Sequence, residues 1–239
     1  SATDTAGLTA SDLISFTVNG LPSQPTLNVV PDPAYTNDDL EANASGSTDP
    51  EGLPVTYDYV WTYGSTTINA PIVSSADTAK GQTWTITATP LDATGAAGLP
   101  VQSTVTIANS PPTISQAAIT PNTGVSNTTT LNCSATATDP DETLTPTYAW
   151  SNLTTGQPLG TGASLTLSPA TIAPMDQIHC TATATDDEGL TASSSASVSV
   201  EDLAPIVSSV MISPDPGVTT NTILNCIANA TDPDGPPPG

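Results

Sequence analysis

Positively charged residues are almost missing from this chain of 239 residues. Arginine is absent, and Lys80 and His179 are the only side chains that could carry a positive charge against 23 Asp and Glu, so the formal net charge is −22. Binding to the phosphate backbone of nucleic acids needs clustered basic residues, and so does attraction to an anionic membrane surface. The composition therefore excludes both functions for this segment.

Long apolar runs and aromatic residues are also scarce. No run approaches the roughly 20 residues that a membrane-spanning helix needs, so no membrane insertion is expected in this segment. No basic stretch followed by an apolar one opens the sequence, and hence no signal peptide is expected in it. Nine aromatic residues are few for one large core, whereas 68 Ser or Thr and 24 Pro are many. This composition favours several small β-rich domains over one large enzyme.

Three segments of the sequence align with one another and indicate a tandem repeat. Each starts at a leucine and ends in a loop of the form Asp-Pro-acid, at residues 40–51, 131–141 and 224–234. Junctions that contain proline recur at Pro25, Pro112 and Pro205, so the period is near 90 residues.

The repeat arithmetic predicts two whole domains and two partial ones. We therefore expect the sequence to be a window on a longer polypeptide. The predicted divisions are a C-terminal hairpin of a preceding domain at 1–22, whole domains at 23–109 and 110–203, and the first strands of a following domain at 204–239.

The repeats have the period of β-strands and not of helices. Apolar and small side chains alternate with Ser and Thr over residues 130–138, 180–185 and 192–200, and turn signals recur every 8 to 12 residues. Such alternation is typical of an antiparallel sandwich with one face of each sheet in water. The predicted fold class is all-β. The inward positions are rich in Ala, so a bulky group must fill the space between the sheets.

Cys133, Trp150 and Cys180 occur in the order and rough spacing of the immunoglobulin pattern, in which a buried Trp packs on a disulfide between two strands. The chain resembles the immunoglobulin-like domains of large secreted bacterial proteins, and especially the polycystic-kidney-disease (PKD) type. The shared features are a Pro-Pro opening, an Asp-Pro loop and a Tyr-x-Trp strand, here at residues 59–61 and 148–150.

This resemblance implies tandem immunoglobulin-like β-sandwiches and a disulfide between Cys133 and Cys180. Cys226 occupies the Cys133 position of the next repeat, with its partner expected beyond the end of the sequence. Ala42 and Trp84 are expected at the two cysteine positions of the first whole domain, with Trp84 buried in place of the disulfide. Structural disulfides imply an oxidising compartment, so an extracellular or cell-surface location is predicted.

Catalytic residue sets are poorly represented, and no enzyme is predicted. The only imidazole, His179, lies on a predicted strand beside Cys180, where alternation directs it outward. Lys80 lies in a Lys-Gly turn. Paired carboxylates of the kind that glycosidases use are plentiful. However, the acidic loop recurs in three repeats, which favours a structural device over a single active site.

The acidic loops form the candidate site. In an immunoglobulin-type sandwich the two acidic loops of a domain lie at the end where its first strand begins. Carboxylates that converge there could bind Ca²⁺, which takes six to eight oxygen ligands, and the candidate ligands are Asp139, Asp141, Asp186 and Asp187. Alternatively, these sequences are simply good turns. The corresponding sets in the other repeats are Asp49, Glu51 and Asp92 near Asn19, and Asp232 and Asp234 near Glu201 and Asp202.

Four aromatic residues share one side of a predicted strand, namely Tyr57, Tyr59, Trp61 and Tyr63. They could form a platform on which a sugar stacks. The alternative is that they face inward, because Trp61 matches the core tryptophan of the immunoglobulin pattern. The second interpretation is favoured.

The sequence predicts a structural segment, such as a stalk, fibre or filament, of a long extracellular surface protein. Its partners would be the neighbouring repeats of the same polypeptide, and self-association into fibres is a further hypothesis. Two alternatives remain open. One is an adhesin that binds a glycan or protein receptor through its loops, and the other is a non-catalytic spacer or binding module of a secreted hydrolase.

Overall fold

A computed structural model describes residues 1–14, 16 and 18–235 of the chain. The protein is all-β, as the alternation predicts, and within these residues the helical structure is limited to one 3₁₀ turn, Ser75–Asp77. The chain divides into two compact units, Ser1–Asn109 and Ser110–Gly239. No helix in the described part of the chain is long and apolar enough to cross a membrane.

The described residues of the first unit form ten strands. A five-stranded sheet has the order β4-β10-β9-β6-β7, a three-stranded sheet has the order β3-β5-β8, and β1 pairs with β2. The pairs within these sheets are antiparallel except β4 with β10, which is parallel. The strands are β1 (Ala2–Thr3), β2 (Thr9–Ala10), β3 (Thr26–Val30), β4 (Ala34–Tyr35), β5 (Leu40–Ser45), β6 (Thr56–Tyr63), β7 (Thr66–Ile68), β8 (Ile72–Val73), β9 (Thr83–Leu91) and β10 (Val101–Ala108).

The second unit repeats this plan. Its main sheets have the orders β16-β15-β18-β19 and β12-β13-β17, β11 pairs with β14, and the last two strands, β20 and β21, pair with each other. The strands are β11 (Thr113–Ile114), β12 (Ala118–Thr120), β13 (Thr130–Ser134), β14 (Ala137–Thr138), β15 (Thr147–Asn152), β16 (Gln157–Thr161), β17 (Ser164–Thr166), β18 (Gln177–Thr185), β19 (Thr191–Ser199), β20 (Ile206–Ser213) and β21 (Asn225–Thr231).

The core of the second unit lies between these two main sheets. Cys133 and Cys180 are joined in a disulfide with their Cα atoms 6.4 Å apart, and both side chains are buried. Trp150 pairs directly with Cys180 across β15 and β18, and it is also buried. The aromatic ring and the disulfide therefore fill the space that the small inward residues, such as Ala182, leave between the sheets.

Trp84 is fully buried, as predicted, but it does not stand at the cysteine position that the repeat alignment assigned to it. Trp61 pairs with Ile86 across β6 and β9, whereas Trp150 pairs with Cys180 across the equivalent strands. Ile86 is thus the residue at the Cys180 position. Trp84 lies two residues earlier on the same face of the strand.

The disulfide of the second unit is consequently replaced by two aliphatic side chains in the first. Ala42 stands at the Cys133 position and Ile86 at the Cys180 position, and both are buried in one cluster. Trp84 occupies the position of Ile178 and enlarges the core beside this pair. At this position the first unit is therefore stabilised by side-chain packing, whereas the second unit has a covalent bond.

The tyrosine of each Tyr-x-Trp strand bridges the two sheets. The Tyr59 hydroxyl accepts a hydrogen bond from the backbone N–H of Ala44 at 3.0 Å. In the second unit, the Tyr148 hydroxyl accepts one from the N–H of Ala135 at 3.2 Å and is placed to donate to its carbonyl at 3.3 Å. The residue between Tyr and Trp faces outward, so the two rings lie on the same side of the strand. The Trp ring fills the core, and the Tyr hydroxyl links the two sheets beside it.

Candidate functional site: the acidic loops at the repeat junctions

The first aspartate of each Asp-Pro loop stabilises the loop itself. Its Oδ1 atom accepts a hydrogen bond from the backbone N–H two residues later, at 2.9 Å for Asp49, 2.7 Å for Asp139 and 2.9 Å for Asp232. This is the geometry of an Asx turn, in which a short carboxylate mimics a backbone turn. The turn interpretation of these loops is thus correct for the first aspartate.

The second acidic residue of each loop reaches the linker that enters the repeat. In all three repeats its carboxylate accepts a hydrogen bond from a linker backbone N–H, and such charge-assisted bonds are stronger than neutral ones. The same loop therefore holds the chain segment that enters its own repeat, three times along the chain. The donors and acceptors are Gly20 and Glu51 (3.1 Å), Ser110 and Asp141 (2.6 Å), and Leu203 and Asp234 (2.6 Å).

Gly20 leaves no room for a side chain beside the first of these loops. A Cβ atom at this position would lie 2.6 Å from Pro50 Cγ and 3.3 Å from a carboxylate oxygen of Glu51. Real carbon atoms do not pack at the shorter distance. A side chain at position 20 would therefore push the linker away from the acidic loop.

A third aspartate shapes the opposing turn of each repeat. Its carbonyl accepts from the N–H of a glycine three residues later, and its Oδ1 atom accepts from the N–H four residues later. The fixed sequence Asp-x-x-Gly follows from this geometry, because the glycine has a positive φ near 90° at each turn. The three residues are Asp4, Asp92 and Asp186.

Asp92 joins this turn to the preceding segment. Its Oδ2 atom accepts a hydrogen bond from the Asn19 amide at 2.6 Å, which confirms the predicted proximity of the two residues. The Asn19 bond, together with the Thr94 hydroxyl and the Thr94 and Ala96 N–H groups, lowers the pKa of Asp92 to about 2. Because the pKa of Asp92 is lowered by folding, its ionised carboxylate stabilises the folded state above pH ~4. This contribution is lost as the pH falls towards 2.

Three of the four predicted Ca²⁺ ligands use a carboxylate oxygen in these backbone contacts. Asp139 and Asp186 hold their own turns, and Asp141 holds the linker at Ser110. The fourth, Asp187, belongs to the exposed opposing turn. Two of the four residues close their own turns, one binds the linker and one lies in an exposed turn. Their role as a ligand set stays a prediction.

Asp187 lies in an acidic cluster that the sequence analysis did not include in full. One carboxylate oxygen from each of Glu142, Asp187 and Glu188 lies within 4.8 Å of the others. The backbone N–H of Asp187 also donates to Glu142 Oε1 at 2.9 Å, so the two acidic loops of this repeat meet as predicted. Three carboxylates at this separation repel one another unless a cation or protons neutralise them.

Buried oxygen atoms without partners lie at every acidic loop. Asp49 Oδ2, Asp139 Oδ2 and Asp234 Oδ1 are inaccessible to solvent and have no hydrogen-bond partner among the described residues. Asn127, only 1% exposed, donates from Nδ2 to the carbonyl of Asp234 at 2.6 Å and has its own Oδ1 buried without a partner. Unpartnered buried oxygens are costly and call for a water molecule or an ion. The donor set, carboxylate and amide oxygen alone, fits Ca²⁺.

The linker contacts and the role of Asn127 were missed in the sequence analysis. The signal for the linker contacts was the constant spacing of two residues between the acids of each Asp-Pro loop. That spacing lets one carboxylate fold back on its own turn while the other points to the junction. Asn127 gave no such signal, because its contact with Asp234 spans 107 residues of sequence.

His179 lies on β18, where its Nδ1 atom is 3.0 Å from the hydroxyl of Ser197 on β19. The two residues are directly paired across these strands. Alternation predicted this outward direction, since the neighbours Ile178 and Cys180 are buried.

No protein-family model matches the chain, and no curated protein matches it. Several solved structures of β-sandwich repeats align with it at low identity. The fibronectin(III)-like modules of Clostridium thermocellum CbhA align at 14% identity and a TM-score of 0.30, covering 74% of this chain and 94% of theirs. A tetra-tandem repeat from the extending region of a large adhesion protein aligns at 14% identity and a TM-score of 0.35, covering 98% and 69%. A Ca²⁺-stabilised adhesin with which an Antarctic bacterium binds ice aligns at 17% identity and a TM-score of 0.34, covering 89% of this chain and 59% of its own.

Proposed function

We propose that the chain is a structural segment of a long extracellular surface protein, in which immunoglobulin-like repeats are held in series as a stalk or fibre. One observation carries the proposal, namely that the same carboxylate-to-linker hydrogen bond recurs at three successive junctions. A spacer needs linkers of defined conformation. A hydrogen bond that recurs at each linker restricts that conformation in every repeat. An oxidising location agrees with the disulfide.

The proposal includes the organisation of the repeats. Residues 1–22 carry the Asp-x-x-Gly turn of the whole repeats, and residues 204–239 carry their Asp-Pro-acid loop. These features support two partial repeats around whole domains at 23–109 and 110–203. The PKD type within the immunoglobulin-like class is supported by the Pro-Pro opening, the Asp-Pro loops and the bridging tyrosines.

Removing one anchor tests the structural role. In the Asp141→Ala variant the N–H of Ser110 loses its acceptor, a loss of about 1.5 kcal/mol, so its amide should exchange roughly tenfold faster. We expect the NMR order parameters of the Asn109 and Ser110 amides, which precede Pro111 and Pro112, to fall from values near 0.85 to below about 0.6. The measurement is ¹⁵N relaxation and hydrogen exchange on the whole chain.

The control for this experiment removes an equal charge elsewhere. Asp77→Ala, in the exposed 3₁₀ turn, should leave the linker unchanged. If the linker of the unaltered chain is already as mobile as that of the Asp141→Ala variant, the junction is not held and the proposal of a defined spacer is wrong.

Calcium at the junctions is a second part of the proposal, and the unpartnered oxygens support it. Each acidic loop buries one carboxylate oxygen that no donor satisfies among the described residues, and the chain has one Lys and no Arg to neutralise 23 acids. Extracellular modules bind Ca²⁺ with dissociation constants of about 10⁻⁴–10⁻³ M. The residues that would hold an ion include Asp49 at the first loop, Asp139 at the second, and Asp234 with Asn127 at the third.

Thermal unfolding in calcium and in chelator tests this part. At 1 mM Ca²⁺ and a dissociation constant of about 0.1 mM, binding adds roughly 1.4 kcal/mol, which raises the melting temperature by about 5 °C. Asp139→Asn should reduce the shift, and the equally charged control Asp77→Asn should retain it. If the unaltered chain melts at the same temperature in both buffers, the acidic loops do not bind calcium. They would then serve only as turns and as acceptors for the linker N–H groups.

A further inference from the structure

Asn19 and Gly20 form the one Asn-Gly sequence in the chain. In such a pair the backbone nitrogen of glycine can attack the asparagine amide, because glycine has no side chain that hinders its approach. Both residues belong to the linker that enters the first whole repeat. Asn19 is half-buried and Gly20 is exposed, so water can reach the pair.

Hydrogen bonds occupy both of the groups that this reaction would use. The Asn19 amide donates from Nδ2 to Asp92 Oδ2 at 2.6 Å. The Gly20 N–H donates to the two carboxylate oxygens of Glu51 at 3.1 and 3.2 Å. The reaction removes the N–H of Gly20 and expels Nδ2 of Asn19, so neither bond can survive it. The two bonds therefore stabilise the unreacted linker.

The two carboxylates also oppose the reaction by their charge. Attack requires that the Gly20 nitrogen lose its proton, and negative charge then passes to the Asn19 amide oxygen. Glu51 and Asp92 place a carboxylate beside each of these groups. Like charges at such short distances repel one another, so the held linker disfavours the transition state as well.

We propose that Asn19 is a deamidation site whose reaction is slow while the linker is held and fast once the linker opens. The Gly20 nitrogen gives its proton to solvent and forms a bond with Asn19 Cγ. The Cγ–Nδ2 bond then breaks, and the nitrogen leaves as ammonia. Water opens the resulting succinimide at either carbonyl, which gives Asp or isoaspartate at position 19. The inference rests on the held linker of the proposed function.

The product keeps the linker open. The pKa of Asp92 is lowered to about 2, so its carboxylate is ionised at neutral pH and would face a second carboxylate in place of an amide donor. Isoaspartate also lengthens the backbone before Gly20, where a Cβ atom would already lie 2.6 Å from Pro50 Cγ. Since ammonia has left, the chain cannot restore the original contact. Deamidation thus converts a transient opening into a lasting one.

The second junction provides an internal reference. Asn109 precedes the anchored N–H of Ser110 as Asn19 precedes that of Gly20. The serine side chain hinders attack by its own nitrogen, so Asn109 should react more slowly than Asn19. The first junction retains the reactive pair because only glycine fits against Pro50.

The experiment follows deamidation of the whole chain at neutral pH in a buffer with chelator. Peptide mass spectrometry separates Asn, Asp and isoaspartate over time, and the same chain unfolded in urea gives the rate without a held linker. Loss of one hydrogen bond to a carboxylate should shift the opening equilibrium about tenfold. Asp92→Asn and Glu51→Ala should therefore each raise the rate at Asn19 about tenfold. The charge control Asp77→Ala should leave it unchanged.

Asn19→Asp tests the consequence of the reaction. The Gly20 amide of this variant should exchange with solvent at least about tenfold faster than that of the unaltered chain. Asn109→Asp, which adds the same charge at the second junction, should leave the Gly20 amide unchanged. Hydrogen exchange on the freshly prepared proteins provides the measurement.

Three results would overturn the inference. They are equal rates at Asn19 in the folded and the unfolded chain, no acceleration in the variants, and a Gly20 amide that stays protected in Asn19→Asp. If the amide spectrum of Asp92→Asn shows that it is unfolded, Glu51→Ala, at an exposed position, decides alone. A Gly20 amide that already exchanges freely in the unaltered chain would contradict the held linker itself. Slow exchange combined with equal rates contradicts this inference alone.

Discussion

Replacing Cys133 and Cys180 together by Ala is expected to lower the free energy of unfolding of the second repeat by about 4 kcal/mol. The disulfide spans 47 residues, so it removes much of the freedom of the unfolded chain. Both sulfurs are buried against Trp150, and truncation leaves a cavity that adds to the loss. The most protected amides of β18 should then exchange up to about a thousandfold faster, as measured by hydrogen exchange with mass spectrometry.

A matched variant separates the cross-link from the packing. Cys133→Ala with Cys180→Ile reproduces the pair Ala42 and Ile86 that the first unit uses at these positions. It should recover part of the loss by refilling the core, while the entropic part remains lost. Cys226→Ser, at an exposed position, should change stability by less than about 0.5 kcal/mol. A double Ala variant that loses less than about 1 kcal/mol would show that the disulfide does not hold this repeat.

Alternation along the strands predicted which side chains face inward, but not how far along each strand they lie. Side chains of a strand return to the same face every two residues, so a shift of two preserves the whole inward pattern. The alignment placed Trp84 at the Cys180 position by such a shift. The pairing of Trp61 with Ile86 corrects it. The sequence holds the same information, since Asp92 follows Ile86 by six residues, as Asp186 follows Cys180.

The acidic loops show the same limit at the site. Composition and repeat spacing predicted that carboxylates gather at the junctions, and Asn19 with Asp92 confirms one such contact. They could not predict which oxygen faces the linker, because Asp139 and Asp141 are chemically alike. Their tasks differ through backbone geometry, since one carboxylate closes its own turn and the other reaches Ser110. The backbone conformation of the turn, and not the residue type, therefore determines which carboxylate reaches the linker.

Trp84→Ala is expected to cost about 3–5 kcal/mol of the stability of the first repeat. The ring is fully buried, and its centroid lies 5.6 Å from that of Tyr63. Its Nε1–H donates to Gln82 Oε1 at 2.9 Å, and truncation removes this hydrogen bond, which leaves the Ala79 N–H at 3.1 Å as a donor to the same oxygen. Because this repeat has no disulfide, packing must supply what a covalent bond supplies in the next one. The loss should appear as faster amide exchange in β9, with β18 as the unaffected reference.

The residue at the equivalent position offers the matched control. Ile178 occupies this place in the second repeat and is also fully buried, so Trp84→Ile keeps an apolar side chain of a kind that the fold accepts there. It leaves a smaller cavity than Ala does, and its cost should be at least about 1 kcal/mol lower. Thr83→Ala, on the outward face, should change stability by about 0.5 kcal/mol or less. If Trp84→Ala were as mild as Thr83→Ala, the second tryptophan would not compensate for the missing cross-link, and the Ala42–Ile86 pair would have to hold the sheets by itself.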